Sequence, residues 1–174
     1  MIDFKNIAYL KDGTERQVEA FEVLQALGVF QSLDKYQPVL TGTIPIAIDI
    51  EDSDLDIICY AKDISEFEQD LYSLFSDKMD FNCAIREVNT VPSVIAKFRY
   101  KGFEIEVFGQ DIPVLEQNAY RHMLIEHRIL MEKGEAFRKN IIELKEGGMK
   151  TEPAFAKLLG LKGDPYETLL SLDI

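Results

Sequence analysis

Asp54 and Asp56 stand one residue apart in the stretch Ser53-Asp54-Leu55-Asp56-Ile57-Ile58-Cys59-Tyr60, a polar turn that runs directly into residues typical of a strand interior. Side chains two apart on a strand point to the same face, so both carboxylates look the same way. If both are ionised in an enclosed place, each raises the other's pKa until a cation relieves the repulsion. Oxygen donors of this kind suit Mg2+ or Mn2+, which take one or two carboxylates together with substrate phosphates and water. The pair is therefore a metal-site candidate. A third carboxylate is available in Gly102-Phe103-Glu104-Ile105-Glu106-Val107, where Glu104 and Glu106 alternate with apolar residues that face a core. Either glutamate can join the aspartates if the two strands are neighbours. Three such carboxylates can hold two metals about 3.5–4 Å apart around an in-line phosphoryl transfer, where catalysis is mostly positioning and charge neutralisation.

Plainer roles compete with these. Asp54 with Ser53 can form an Asx-turn, and Glu104 and Glu106 can pair across strands with Lys97 and Arg99. Asp49, Glu51 and Asp52 read as loop surface. His122 and His127, five apart on a helix, do not share the face a helical metal pair needs and read as surface or capping residues.

The elements that must position these groups follow from periodicity and caps. Thr14 with Gln17 makes a capping box ahead of Val18, Phe21, Leu24 and Leu27, and Gly28 stops that helix. A short strand over Pro38–Leu40 ends at Thr41, Gly42 and Thr43, and a second runs from about Leu55 to Tyr60. Ser65 with Glu68 reads as a second capping box, before Phe67, Leu71, Leu74 and Phe75. Phe81, Cys83 and Ile85 alternate as a half-buried strand. Val94 to Tyr100, the turn Lys101-Gly102 and Phe103 to Val107 read as an antiparallel hairpin. From Val114 the pattern turns helical as far as Gly134, with a further helix over Phe137–Lys145. Thr151 before Glu152-Pro153, and Asp164 before Pro165, mark two more helix starts, and Gly160 ends the first of them.

This order predicts an α+β chain: a mixed sheet of about five strands with helices packed on one face, then a helical C-terminal part. The expected division is a core over 1–112 and a helical subdomain over 113–174.

Composition narrows the function. At 174 residues with 47% hydrophobic and 29% charged, the chain is a folded protein with a substantial core. A net charge of -12 repels a phosphate backbone, which argues against nucleic acid as partner but not against a small phosphorylated substrate bound with a divalent metal. Cys59 and Cys83 sit in apolar strand contexts and read as buried free thiols. No apolar run approaches membrane-spanning length and the start lacks the order of a signal peptide, so the expected location is the cytoplasm.

The segment from Gly42 and Thr43 to Ser53-Asp54-Leu55-Asp56 resembles the signature of the nucleotidyltransferase superfamily with the DNA polymerase β-like fold. There a glycine and a serine or threonine end one strand, and Asp-x-Asp opens the next. The resemblance covers roughly Val39 to Gly109. It implies a sheet with helices on one face, Mg2+ or Mn2+ at Asp54 and Asp56, and Gly42 and Thr43 against the phosphates of an NTP. It also implies a third acid on a later strand, which falls on Glu106 as the deeper of the two glutamates, with Glu104 in reserve. The whole chain is similar to a small uncharacterised bacterial family of nucleotidyltransferase-like proteins, through the stretch from Val39 to Cys59 together with the stretch from Lys150 to Leu161 and Gly163-Asp164-Pro165-Tyr166.

Many members carry arginines after the Gly-Ser turn, whereas Ile44-Pro45-Ile46-Ala47-Ile48 is apolar. That leaves Lys97, Arg99, Arg121 or Arg128 to reach in. The expected function is transfer of an NMP group from an NTP to a small-molecule or protein acceptor. The alternatives are a nucleotide-binding or regulatory module without turnover, and a partner protein of toxin–antitoxin type.

Overall fold

The first helix forms where its cap predicts. In the computed structural model, which describes residues 2–172, α1 spans Glu15–Leu27. Thr14 Oγ1 accepts from the Gln17 amide at 3.3 Å while Gln17 Oε1 accepts from the Thr14 amide at 3.0 Å, so two free amides at the helix start are satisfied together. Next come α2 (Val29–Ser32), β1 (Val39–Thr41), β2 (Leu55–Tyr60) and α3 (Ile64–Phe75). Three long strands follow: β3 (Met79–Val88), β4 (Val91–Tyr100) and β5 (Phe103–Gln110). The chain then turns helical through α4 (Asn118–Lys133), α5 (Glu135–Glu146), α6 (Thr151–Leu159) and α7 (Pro165–Leu170).

The strands form one five-stranded sheet in the order β1-β2-β5-β4-β3. Only β2 and β5 run parallel; the other neighbours are antiparallel. One face carries Leu55, Ile57, Ile105, Val107, Ala96 and Phe98, packed with Leu24 of α1 and Phe67, Leu71 and Phe75 of α3. Burial of each of the larger of these side chains is worth about 1.5–3 kcal/mol. The approach of α3 is close: a Cβ on Gly109 of β5 would lie 2.1 Å from the Phe67 ring. On the opposite face Val39 and Ile58 join Met123 and Leu130 of α4 and Phe155 of α6 in a second apolar cluster. The C-terminal helices thus cover the β1–β2 end of that face and reach Phe108 of β5. Beside them the sheet is left open.

Several expectations about local structure are corrected. Asp63 caps α3, its carboxylate accepting from the Glu66 amide at 2.9 Å, so Ser65 lies inside the first turn and needs no capping role. Thr151 is the first helical residue of α6, and Lys150 precedes it without a side-chain cap. The helix expected from Val114 divides into a 3-10 turn over Val114–Glu116 and α4, because Gln117 is extended (φ -67°, ψ 141°). Strands β3 and β4 run beyond the alternating residues that announced them and meet at Asn89 and Thr90, both at positive φ. Cys83 is only partly buried.

Candidate functional site

The register of the sheet builds the site. Asp56 on β2 lies beside Thr41 of β1 and Glu106 of β5, and Glu106 lies beside Lys97 of β4. A row Thr41, Asp56, Glu106, Lys97 therefore crosses four strands on the open face, with neighbours about 4.8 Å apart along the hydrogen-bonding direction. Asp54 precedes β2 by one residue. Ser53 fixes the turn before it: its Oγ accepts from the Ile50 amide at 2.9 Å and lies 3.2 Å from Oγ1 of Thr43.

Among the described residues no hydrogen-bond donor reaches the carboxylate of Asp56. Burial pushes its pKa up to about 8, and the nearby charges of Asp54 and Glu106 add to the rise while Lys97 opposes it. Glu106 is differently served, with Lys97 Nζ 2.7 Å from its Oε2. Glu104 lies 3.8 Å from Lys97 and 3.9 Å from Arg99, and Arg99 also reaches Asp80 at 3.4 Å. The cross-strand ion pairs expected as the competing role of these glutamates are thus present. Glu106 also lines the cavity described next, and Glu104 does not. Among the described residues no group of three or more His, Cys, Asp or Glu side chains is drawn together closely enough to hold a metal ion as it stands.

A cavity of about 770 Å³ lies between this face and the C-terminal helices, with Gly42, Thr43, Asp54, Asp56 and Glu106 on the sheet side. Opposite them stand His122 and Glu126 of α4, Lys145 of α5, and Lys150 and Glu152 at the start of α6. Arg99, Arg121 and Arg128 do not line it, and Lys97 stands outside it, held to Glu106. The positive charges that face the site come instead from Lys145 and Lys150.

The apolar stretch after Gly42-Thr43 carries no arginine because its side chains are core: Ile44, Ile46 and Ile48 are buried. Its backbone carbonyls are gripped from outside. Gln17 Nε2 donates to Ile44 O at 2.8 Å, Arg138 donates to the carbonyls of Ile46 and Ala47, and Lys145 Nζ donates to Ile48 O at 2.6 Å. Burial pulls the Lys145 ammonium below its usual pKa, while Asp49, Glu126, Glu152 and Asp54 act to hold its charge.

Glu126 is 4% exposed, and its Oε1 has no hydrogen-bond partner among the described residues. Desolvation raises its pKa well above the usual carboxylate range. His122 is buried rather than on the surface, a correction that follows from helix packing. Its Nε2 donates to the Tyr166 carbonyl at 2.9 Å, and its Nδ1 lies 3.6 Å from Glu152, tying α4 to α6 and α7. His127 is half-buried, with its ring edge-on to Phe4 at 5.1 Å.

Lys145 and Glu126 were not singled out from the sequence. A signal was present: Lys145 continues the spacing Phe137, Ile141 on the inner side of α5, and Glu126 falls between Met123 and Leu130 on the apolar face of α4. A charged residue on a buried stripe marks a place where something polar must be met.

Residues 22–172 match the family described as "Domain of unknown function (DUF4269)". No protein with a curated description matches the chain by sequence. Among solved structures the fold is similar to that of Cid1, described as having RNA terminal uridylyl transferase activity, with a TM-score of 0.54, 12% identity, and coverage of 76% of this chain and 41% of that one. It is also similar to the Cid1 poly(U) polymerase with Mg 3'-dATP bound (TM-score 0.54, 13% identity, 90% of this chain and 48% of that one). A chain of the GLD-2/RNP-8 complex gives a TM-score of 0.56 at 10% identity, over 88% of this chain and 61% of that one. The chain therefore spans about half the length of the proteins it resembles. At 10–13% identity the likeness is one of fold: a mixed five-stranded sheet with packed helices, similar to the fold of these nucleotidyltransferases.

Proposed function

Since the chain belongs to the DUF4269 family of domains of unknown function and has a fold similar to that of nucleotidyltransferases, we propose that it moves an NMP group from an NTP to a small-molecule or protein acceptor. The observation that carries this reading is Asp56: a carboxylate without a donor, set beside Glu106 and close to Asp54 at the wall of a nucleotide-sized cavity. The carboxylate is half-buried and lines the cavity, where a cation or a bound ligand can meet it.

The residues present suit a divalent cation. Gly42 has no side chain where a Cβ would come within 2.4 Å of Asp56 Oδ2, so the turn can lie directly against the carboxylate. Asp54 and Asp56 are the residues that would hold Mg2+ or Mn2+, with Glu106, the third acid of the row, beside them. When bound, such an ion neutralises the carboxylates and the triphosphate and polarises the α-phosphate.

In the transfer, an acceptor hydroxyl oxygen forms a bond to the α-phosphorus, the bond from that phosphorus to the bridging oxygen breaks, and pyrophosphate leaves with that oxygen. The acceptor proton goes to Glu106, which lines the cavity and whose Oε2 is held by Lys97. Gly42 and Thr43 lie against the phosphates at the end of β1, and Lys145 and Lys150 face the departing pyrophosphate from the helical side. The net charge of -12 disfavours a nucleic-acid acceptor. Among the described residues no helix is long and apolar enough to cross a membrane, in keeping with the cytoplasmic location proposed.

A second reading has its own observation. Lys97 already answers the charge of Glu106, which favours a nucleotide-binding module without turnover. Incubating the protein with Mg2+ or Mn2+, each of the four NTPs labelled at the α-phosphate, and a panel of small hydroxylated acceptors and proteins separates the two. Pyrophosphate release with label transfer, abolished in Asp54→Ala and Asp56→Ala, supports the enzyme. Nucleotide binding without any pyrophosphate across the panel overturns it in favour of the module.

A further inference from the structure

Lys97 is the one described residue of the carboxylate row that carries positive charge, and its placement is specific. It sits opposite Glu106 in the β4–β5 register, with Nζ 2.7 Å from Glu106 Oε2 and 3.8 Å from Glu104 Oε1. Roughly half of the Lys97 side chain is exposed, at 48%, so packing does not force it there. The carboxylates hold it, with Glu106 and Glu104 both within ion-pair distance of its ammonium. Asp56, one strand further along the same row, has no such partner.

The three carboxylates are thus unequal. A cation ligated by Glu106 would stand about 2.0–2.2 Å from its oxygen, in the same small space as an ammonium 2.7 Å from that carboxylate. Like charges so close, in a half-enclosed site, repel strongly. A cation between Asp54 and Asp56 meets no such competitor.

We propose that Lys97 is the built-in counter-ion of this site: it answers the charge of Glu106 in the place of a second metal, so that the cavity takes a single divalent cation on Asp54 and Asp56. This deepens the transfer reading and rests on its cation site. It divides the work, with Asp54 and Asp56 as ligands and Glu106 kept off the metal and free to take a proton. Lys97 is a positioning residue, acting through Glu106.

The test is the number of ions bound. Mn2+ is titrated into the whole protein without nucleotide, with the free ion followed by its electron paramagnetic resonance signal and the heat by calorimetry. The expected result is one Mn2+ per wild-type chain, affinity changed less than threefold by Glu106→Gln, and binding lost in Asp56→Asn. Lys97→Met, which frees Glu106, gains a second Mn2+ or binds the first at least tenfold more tightly. Lys97→Arg keeps the charge and stays at one ion, which guards against a trivial effect of altering β4. Two ions in the wild type, or loss of binding in Glu106→Gln with Lys97 intact, overturns the role of Lys97 while leaving nucleotidyl transfer standing. Absence of Mn2+ binding in the wild type and in Lys97→Met overturns both this inference and the cation site beneath it.

Discussion

Gly42 and Asp56 approach each other so closely that no side chain fits between them: a Cβ on Gly42 would lie 2.4 Å from Oδ2 of the carboxylate. Gly42 also has φ +84°, a conformation that costs other residues about 1–2 kcal/mol. The end of β1 is therefore shaped around an acid on β2. Gly42→Ala is expected to lower stability by about 1–3 kcal/mol, and to weaken Mn2+ and NTP binding further by displacing the carboxylate. Thermal unfolding with and without Mn2+ checks both. A variant that unfolds like wild type and keeps its metal response would show that the close approach has no role.

Asp56 makes stability depend on pH in an unusual direction. Its folded pKa, about 8, lies above the usual carboxylate value, so between roughly pH 4 and pH 8 the folded state binds more protons than the unfolded one. Stability from this group is full below the unfolded pKa and is lost as pH rises through about 8. Even half of the displacement corresponds to roughly 3 kcal/mol. Denaturant melts of metal-free protein at pH 5.5 and 8.5 are expected to show the loss, and Asp56→Asn to remove most of it. Mn2+ should restore stability at pH 8.5 in the wild type, since a ligand that binds only the folded state stabilises it.

Lys145 carries a prediction for the helical side of the cavity. Its Nζ holds the Ile48 carbonyl at 2.6 Å while the side chain lines the cavity opposite the aspartates. A charge-assisted contact to a phosphate is worth about 1.5–3 kcal/mol, so Lys145→Met is expected to weaken NTP binding by roughly 10- to 150-fold. Calorimetry with an NTP and with pyrophosphate reads this directly. If Lys145 only braces the Ile44–Ile48 segment, stability falls and nucleotide affinity of the folded variant does not change.

The sheet and the carboxylates were legible because local rules sufficed. Asp54 and Asp56 abut an unambiguous strand, and alternation alone placed Glu106 opposite a buried face. The pairing of β2 with β5 was not written in either strand, since it depends on a crossover through α3, β3 and β4 that the sequence does not specify. Lys145 and Glu126 were missed for a related reason. Each lies on an otherwise apolar helical stripe, and only the packing of α4, α5 and α6 against the open sheet face shows that those stripes border a cavity. The cap of α3 went to Asp63 instead of Ser65, because two acceptors lay within three residues and the one at the strand exit reached the free amide.

Glu126 tests whether the inner wall of the cavity is set for a ligand or for stability. It is 4% exposed with an unpartnered Oε1, and desolvation holds its carboxyl toward the neutral form, with Glu152 adding to the rise and Lys145 opposing it. A buried acid of this kind stabilises the fold most below its unfolded pKa, and the contribution declines as pH rises toward the raised folded value. Glu126→Gln keeps the shape and removes the ionisation, so the variant is expected to exceed wild type in melting temperature at pH 8, with the gap closing near pH 4. A destabilisation of about 1–3 kcal/mol at every pH would instead mean that the acid proton is donated within the fold. If Glu126→Gln is stabilised yet loses acceptor-dependent label transfer while retaining NTP binding, the residue belongs to the acceptor side of the cavity. Melting curves across pH, read beside the transfer assay, separate these outcomes.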